Sequence, residues 1–426
     1  LPYINLSTLY INTQREEKVS PLLKKGLKNI PNHPALYLHL GEFQLKNKKI
    51  TSAIASFHTS ISLDPKNTSS HIALGNAFFA QGELDAALKS YEKAVQLEPN
   101  SSTFHMLIGN VFREKNEFEI SLNAYRRSLE LDQNNAESYF NQGNLFLKKK
   151  EYEKAISSFY SALLIGPELP ILHVNMGSAY MLKKNPELAY KCFMAANILE
   201  PENTEIFCHI GNSCLEKKAE KEALKWYTKA LENNPKEPSY HANVGAAYHK
   251  LKDLDRSIKS YRTALDLDPN LVHALVNLSG VISEKGNLIE GANLLVKALK
   301  IAPDDVNLQS NLGHTLLLMG QYELGLEKYE YRLFTDDKGI KPHAQPKSEI
   351  WKNDPLKKGD EIIVVSEQGL GDTIQFMRYV KHLKLIGVKV TFCVQENIHS
   401  IIKSSAIHPN PIKPVEGDKL SGTKWI

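Results

Sequence analysis

The sequence has few residues of the kind that cross-link a chain or hold a metal. It contains four cysteines in 426 residues, at Cys192, Cys208, Cys214 and Cys393. Cys208 and Cys214 lie six residues apart on one predicted helix, a poor alignment for a metal pair, and no Cys or His cluster has zinc-site spacing. We therefore expect no metal site, and we interpret the cysteines as small buried residues in a reducing, cytoplasmic compartment.

Long apolar runs and long blocks of one charge are also missing. No signal peptide or membrane-length apolar segment is present, so we expect no membrane segment. The net charge of 52 − 48 = +4 is spread along the chain, which gives no reason to expect a nucleic-acid partner. The chain opens at Leu1 in the middle of a pattern rather than with methionine, and we expect it to be part of a longer protein.

The chain before residue 340 repeats itself with a period of 34 residues, the signature of stacked repeats. The eighth position of the unit is glycine in most copies, although glycine destabilises a helix by about 1 kcal/mol relative to alanine. We therefore expect its missing side chain to let the partner helix of the same unit approach closely. The twentieth position is small and the twenty-fourth is aromatic in most copies, as in Ala87 and Tyr91. Proline ends most units, because it cannot continue a helix. Each unit is therefore predicted to be two helices and a turn.

This spacing of small, aromatic and proline residues resembles the tetratricopeptide repeat. The resemblance implies an all-α solenoid of ten 34-residue units, wound into a right-handed superhelix over residues 1–339. After a weak first unit over residues 1–33, the units are predicted to begin at Pro34, Thr68, Ser102, Ala136, Pro170, Thr204, Pro238, Val272 and Val306.

The sixth position of the unit is unusually rich in asparagine. It points about 200° away from the packed fourth position, and asparagine occupies it at Asn5, Asn141, Asn175, Asn243, Asn277 and Asn311. On nearly the same face, position nine adds Asn76, Asn110, Asn144 and Asn212. Plain solvation would favour Glu, Lys or Gln, which are better helix formers. An amide column can instead bind the backbone of an extended peptide, or its members can bond to one another and fix the stacking. We favour the interpretation that the column binds a peptide.

The column resembles the asparagine ladder of O-GlcNAc transferase, whose repeats carry the Asn-Leu-Gly triplet seen here at Asn311-Leu312-Gly313. The resemblance implies a polypeptide or protein ligand on the concave side, contacted by Asn141, Asn175, Asn243, Asn277 and Asn311. The sequence departs from the ladder at His39, Ala73 and Leu107, so we expect weaker peptide binding in that part of the chain.

The repeat pattern ends after residue 332, and its period changes. Residues 340–360 are predicted to be a linker, followed by a strand in EIIVVSEQ from Glu361, a helix over Thr373–Ile386, a strand over Lys389–Gln395 and a further helix from Ile398. Strand, helix and strand in this order predict a parallel sheet, whose ligands bind beyond the carboxyl ends of the strands.

The turn after the first predicted strand is a candidate ligand site. Gly369, Gly371 and Thr373 surround Asp372, but the third glycine of a dinucleotide fingerprint is missing and no Gly-Lys-Ser/Thr follows. Asp372 has two interpretations: a cap of the following helix, or a carboxylate that takes a proton from an attacking hydroxyl.

Residues 350–405 resemble bacterial proteins that join tetratricopeptide repeats to a heptosyltransferase-like transferase of the GT-B fold. The resemblance rests on the segment Glu367–Arg378 with Trp351 before it, and it implies that Asp372 is the general base. Residues 361–426 would be an incomplete, Rossmann-like GT-B half-domain, inactive alone, with no cofactor here and a sugar nucleotide as donor in the longer protein. The alternative is a non-enzymatic scaffold for complex assembly.

Overall fold

A computed structural model describes residues 2–13, 15–334, 347, 349, 351, 355–366, 373, 377–405, 408, 410–417, 419–420 and 423–424. By its internal contacts the chain divides into two compact units, Leu1–Asp253 and Leu254–Ile426. The predicted domain limits at residues 339 and 360 stay a prediction.

The first unit is built from helices joined by short turns. They are α1 Pro2–Asn12, α2 Val19–Asn29, α3 Pro34–Lys46, α4 Ile50–Leu63, α5 Thr68–Gln81, α6 Leu84–Leu97, α7 Ser102–Glu114, α8 Phe118–Leu131, α9 Ala136–Lys148, α10 Tyr152–Ile165, α11 Pro170–Leu182, α12 Pro186–Leu199, α13 Thr204–Glu216, α14 Glu220–Asn233 and α15 Pro238–Lys250. From α3 onward, each odd-numbered helix begins at a predicted repeat start. The two helices of a repeat pack together, and the second packs on the first helix of the next repeat.

The position-eight glycines allow this packing, as the sequence predicts. A Cβ atom on Gly109 would lie 2.5 Å from the ring of Tyr125, and one on Gly143 would lie 2.5 Å from the ring of Phe159. Both rings are fully buried. The aromatic residue at position twenty-four therefore fills the space that the missing side chain leaves, and any larger residue at position eight would push the two helices apart.

The turn between the two helices of a repeat adopts a left-handed conformation at position fifteen, a feature that the sequence patterns did not reveal. In the first unit, Gly82 has φ of 83°, and φ lies between 58° and 63° at Lys48, Asn116, Lys150, Lys184, Lys218 and Lys252. In the turn after α11, the N–H of Asn185 then bonds to the carbonyl of Tyr180 at 2.9 Å. This bond closes the helix end in the manner of a Schellman motif.

The second unit continues with the helices α16 Leu254–Leu267, α17 Val272–Glu284, α18 Leu288–Ile301, α19 Val306–Leu318 and α20 Tyr322–Tyr329, followed by a 3₁₀ turn at Glu330–Phe334. Its repeats share the close helix contact, since a Cβ atom on Gly325 would lie 2.9 Å from the side chain of Leu317. In each unit, the described residues up to 334 thus form paired helices of a repeat protein, as predicted.

Beyond the repeats, the second unit contains two short strands, β1 Glu361–Val365 and β2 Lys389–Cys393, with the helix α21 Arg378–Leu385 between them. The strands are parallel, with Glu361 opposite Lys389 and Val365 opposite Cys393. A 3₁₀ turn at Glu396–Ile398 leads into α22 His399–Ser404, and α23 is Pro414–Gly417. The predicted strand–helix–strand order is present. Two strands do not establish a Rossmann-like or GT-B half-domain, which stays a prediction.

The second strand is not left open at its edge. Val394 donates to the carbonyl of Ile412 at 3.0 Å, and Ile412 donates back to Phe392 at 2.9 Å. On the other side of β1, Ile363 donates to the carbonyl of Lys424 at 3.0 Å. Extended segments far along the chain therefore cover backbone groups that two strands alone would leave unpaired. No helix in the described part of the chain is long and apolar enough to cross a lipid bilayer.

Candidate functional site

The candidate site is the side of each first helix that points away from the second helix of its own repeat. We call it the first-helix surface, and we define it by positions six and nine of the repeats. Position eight faces the partner helix, as Gly109 shows against Tyr125. Position six lies about 200° from position eight around the helix, so it faces the opposite way. First helices of consecutive repeats, such as α7 and α9 or α13 and α15, contact one another along this surface.

The asparagines at position nine are held by tyrosines from the same repeat. The hydroxyl of Tyr91 donates to Oδ1 of Asn76 at 2.7 Å, and that of Tyr125 donates to Oδ1 of Asn110 at 2.7 Å. Tyr227 donates to Oδ1 of Asn212 at 2.6 Å. Burial raises the pKa of Tyr125 to about 12, so its hydroxyl is a proton donor at neutral pH.

These bonds fix which way each amide points. With Oδ1 turned inward to the tyrosine, the Nδ2 group with its two N–H donors turns outward. Within the described residues, Nδ2 of Asn76, Asn110 and Asn212 has no hydrogen-bond acceptor. Asn76 and Asn212 are exposed and Asn110 is half-buried. The three repeats therefore carry oriented, unused donors on the first-helix surface.

Two of the predicted position-six asparagines connect consecutive first helices. Arg113 of α7 donates to Oδ1 of Asn141 at 3.2 Å, and Asn141 is 7% exposed. Nδ2 of Asn175 donates to Oδ1 of Asn144 at 2.8 Å, and both amides are half-buried. The bond between Asn175 and Asn144 is the amide–amide contact between repeats that the sequence left open as an alternative to peptide binding. For Asn175 the bond uses one N–H, and Oδ1 has no partner among the described residues, so the two interpretations are compatible there.

The other predicted asparagines lie nearer to solvent. Asn243 is half-buried beside Cys208, where burial raises the pKa of the thiol to about 11 and the hydrogen bond with Asn243 opposes that rise. In the second unit, Asn277 and Asn311 are exposed. Burial raises the pKa of Tyr261, and a hydrogen bond with Asn277 opposes it. Among the described residues, the amide side chain of Asn311 has no hydrogen-bond partner, while its backbone carbonyl accepts from the hydroxyl of Thr315 at 3.0 Å.

Where the asparagine pattern fails, the surface is apolar. A cavity of about 540 Å³ lies between α3 and α5, near Ala73, with Leu45, Ile72 and Phe104 among its apolar lining residues. Glu42 and Glu98 are among its polar lining residues. This part of the first-helix surface can hold an apolar side chain, in contrast to the amides farther along.

Most of the predicted catalytic turn lies outside the described residues: Gly369, Gly371 and Asp372. Thr373 is described and is 7% exposed, and its carbonyl accepts from Met377 at 2.9 Å. The surroundings of Asp372 lie outside the described residues, and its role stays a prediction.

Histidines at position four have a structural role. The ring nitrogen Nε2 of His71, His105 and His241 donates to the carbonyl of Pro65, Pro99 and Pro235, at 3.0, 3.2 and 2.8 Å respectively. Each proline lies six residues earlier, near the end of the preceding repeat. The histidines thus connect one repeat to the next.

The tyrosine–asparagine bond was missed by the sequence analysis, although a signal for it exists. Of the described repeats in the first unit, those with asparagine at position nine and tyrosine at position twenty-four all make the bond. In the repeat that has Phe159 instead, Asn144 accepts from Asn175. The amide thus finds a different partner when the hydroxyl is absent.

Comparison with known proteins agrees with this description. The family model described as "TPR repeat" matches residues 75–112 and 109–150, and models described as "Tetratricopeptide repeat" match residues 34–67, 136–168, 204–237 and 238–271. No curated protein matches.

Solved structures of helical repeat proteins are similar to this chain. A tetratricopeptide repeat protein from Parabacteroides merdae has a TM-score of 0.50 and 15% identity, covering 58% of this chain and 98% of its own. YrrB, described as a TPR protein with an unusual peptide-binding site, has a TM-score of 0.40 and 25% identity, covering 44% of this chain and 97% of its own. The matched repeats and the helix pairs identify this chain as a tetratricopeptide-repeat protein.

Proposed function

We propose that the first-helix surface binds an extended polypeptide through its backbone. The observation that carries the proposal is the row of amides at Asn76, Asn110 and Asn212, each with Oδ1 held by a buried tyrosine and Nδ2 turned outward. A peptide carbonyl is the natural acceptor for such a donor, and every residue of a peptide has one. Because the amides are held in place before binding, little side-chain entropy is lost when the ligand arrives.

The position-six asparagines supply further amides on the first helices of each unit. Asn175 and Asn243 have an amide partly accessible, and Asn277 and Asn311 are exposed. Asn141 is buried, and we propose that it acts through Arg113, which it holds in place. The cavity beside Ala73 would take an apolar side chain of the bound segment, adding a preference for sequence at that end.

The test is to titrate fluorescent random-sequence peptides against the chain and measure their anisotropy. We expect binding to weaken when the position-nine row is replaced by alanine at Asn76, Asn110 and Asn212. A second variant would carry alanine at Asn141, Asn175, Asn243, Asn277 and Asn311. Alanine is the better helix former, so these helices should not lose stability through propensity.

A control variant tests whether the effect is specific to asparagines on the first-helix surface, rather than to the loss of any three asparagine side chains. Asn100, Asn134 and Asn234 are exposed and lie on the turns between repeats. Their replacement by alanine should leave peptide affinity unchanged. Equal affinities for the position-nine variant and the unmodified chain would contradict the proposal.

We further propose that the bound polypeptide is an acceptor presented to a glycosyltransferase of the GT-B type. Support comes from the resemblance of residues 350–405 and from the parallel β1–β2 pair that follows the repeats. In this proposal Asp372 is the general base and a sugar nucleotide is the donor. Base, acceptor and donor must be held together for transfer, so we expect residues 1–426 alone to show no turnover.

Activity assays with sugar nucleotides test this part separately from peptide binding. The assay would use a lysate of acceptor proteins, the chain 1–426 and a longer form of the protein. Turnover by the longer form that disappears in Asp372→Asn would support the transferase. Peptide binding without any turnover by the longer form would favour the alternative, a scaffold for complex assembly.

A further inference from the structure

The turn between the two helices of a repeat carries lysine where glycine would be more stable. Lys150, Lys184 and Lys218 occupy position fifteen of three consecutive repeats, each with φ of 60°. A left-handed conformation costs a residue with a Cβ atom about 1–2 kcal/mol, and glycine avoids this cost. At the equivalent Gly82, a Cβ atom would meet nothing within 4 Å, so steric crowding does not dictate the choice of residue there. The lysines therefore bring a charge at the expense of stability.

Nearby acidic residues are paired with other lysines. The lysine at position fourteen of one repeat forms an ion pair with the acidic residue at position eighteen of the repeat before it. The pairs are Lys115 with Asp85 at 3.0 Å, Lys183 with Glu153 at 3.1 Å and Lys217 with Glu187 at 3.2 Å. Lys149 pairs with Glu119 in the same way. The position-eighteen acids of α6, α8, α10 and α12 are thus already occupied by the lysines at position fourteen.

The position-fifteen lysines lack such partners. Within the described part of the chain, no carboxylate pairs with the ammonium of Lys150, Lys184 or Lys218. Lys150, Lys184 and Lys218 are all exposed. The three residues recur once per repeat along the same edge, since they occupy the same position of repeats whose first helices contact in sequence. Together they form a row of uncompensated positive charge, which we call the lysine row.

We propose that the lysine row is a docking site for an acidic polypeptide segment. Packed helices lie about 8–10 Å apart, so the ammonium groups recur at roughly that interval. A polypeptide in the polyproline II conformation advances about 3.1 Å per residue and has three residues per turn, so every third side chain lies on the same face. A segment with an acidic residue at every third position therefore matches the spacing of the row. This site is separate from the first-helix surface, and it binds by charge rather than through backbone amides.

The chemistry of the row favours a polypeptide over a nucleic acid. Surfaces that bind single strands combine positive charge with aromatic side chains on which bases stack, and arginine is preferred for phosphate. The row contains lysine only, and no aromatic residue occupies positions fourteen to sixteen of its repeats. The net charge of the whole chain is +4, which provides little long-range attraction for a polyanion.

The experiment compares two fluorescent peptides of about fifteen residues with the same composition. One carries glutamate at every third position among glycine and serine, and the other carries its glutamates in one block. Anisotropy titrations at low ionic strength should show tighter binding of the spaced peptide. The combined variant Lys150→Gly, Lys184→Gly and Lys218→Gly should bind it about tenfold more weakly, as expected for the loss of three exposed charge pairs. Binding should also fall with added salt.

The glycine variant also excludes unfolding as the cause of lost binding. Because glycine relieves the left-handed strain, the variant should melt at a higher temperature than the unmodified chain. Replacement of the same lysines by arginine should keep the binding. A control with the same change in charge replaces three exposed lysines away from the row, Lys25, Lys66 and Lys236, by glutamine and should bind as the unmodified chain does.

Several outcomes would overturn the proposal. They are equal affinity of the glycine variant and the unmodified chain, an equal loss in the glutamine control, and equal binding of the spaced and block peptides. Tighter binding of a single-stranded oligonucleotide or an anionic lipid vesicle to the row would assign it a different partner. The random-sequence peptides that probe the first-helix surface need carry no net charge, so the two proposals are tested with different probes. A negative result for one proposal therefore leaves the other testable.

Discussion

The hydroxyl of Tyr125 donates a hydrogen bond of 2.7 Å to Oδ1 of Asn110, fifteen residues earlier on the partner helix of the same repeat. The ring of Tyr125 is fully buried over Gly109, while Asn110 lies on the first-helix surface. One residue thus fills the space between the helices and orients an amide on the outside. Packing and the proposed binding surface are linked through this single side chain.

Replacement of Tyr125 by phenylalanine should separate these two roles. The ring stays in place, so we expect a loss of about 0.5–1.5 kcal/mol in the free energy of unfolding from the missing hydrogen bond. The amide of Asn110 becomes free to rotate, so affinity for random-sequence peptides should fall. Chemical denaturation and anisotropy titration measure the two effects.

Tyr190→Phe is the matched control for this change. The hydroxyl of Tyr190 donates to Glu222 at 2.8 Å rather than to an asparagine of the first-helix surface. We expect its loss to leave peptide affinity unchanged. A similar loss of affinity in both variants would mean that the hydroxyl of Tyr125 does not act through Asn110.

Substitution of a helix glycine by alanine should be tolerated only where no aromatic ring packs against the glycine. In Gly143→Ala, the new Cβ atom would lie 2.5 Å from Phe159, and overpacking of this kind costs about 1–3 kcal/mol. Gly280 lies inside α17 with nothing within 4 Å of a Cβ atom. Gly280→Ala should therefore stabilise the protein by up to about 1 kcal/mol through helix propensity. Thermal unfolding of the two variants should shift in opposite directions, and a shift in the same direction would contradict the packing argument.

His209 should make the protein sensitive to mild acid. Its ring stacks on Phe193 with centroids 5.0 Å apart, and burial lowers its pKa from the ordinary value of 6.5, against the opposing effect of Glu205. The unfolded chain then takes up a proton at a higher pH than the folded chain. Stability contributed by this residue is present above about pH 6.5 and is lost as the pH falls below it.

The measurement is the free energy of unfolding between pH 7 and pH 5, for the unmodified chain and for His209→Asn. Asparagine is the residue that most other repeats carry at this position. We expect a smaller decline in the variant, and His241→Asn serves as a comparison at position four. An identical decline in the unmodified chain and His209→Asn would assign the acid sensitivity to other groups, among them His273, whose pKa is also lowered by burial.

Much of the repeat architecture was determined by the sequence alone. A period of 34 residues, glycine opposite an aromatic residue and a terminal proline specify two helices and a turn, because each of these residues acts on its nearest neighbours in the stack. The starts of the first helices, such as Thr68 and Ser102, follow directly. The change of period after residue 332 likewise predicted the strand–helix–strand order at β1, α21 and β2. The role of Asp372 stays a prediction.

Only the tertiary structure decided what each polar side chain does. Helical periodicity places Asn110 and Asn141 on the same surface, but it does not say that Oδ1 of Asn110 meets a tyrosine or that Arg113 covers Asn141. The direction of an amide depends on atoms supplied by another helix, and the periodicity of one helix does not contain them. The same reason applies to Lys184, whose left-handed backbone arises where two packed helices require a sharp turn.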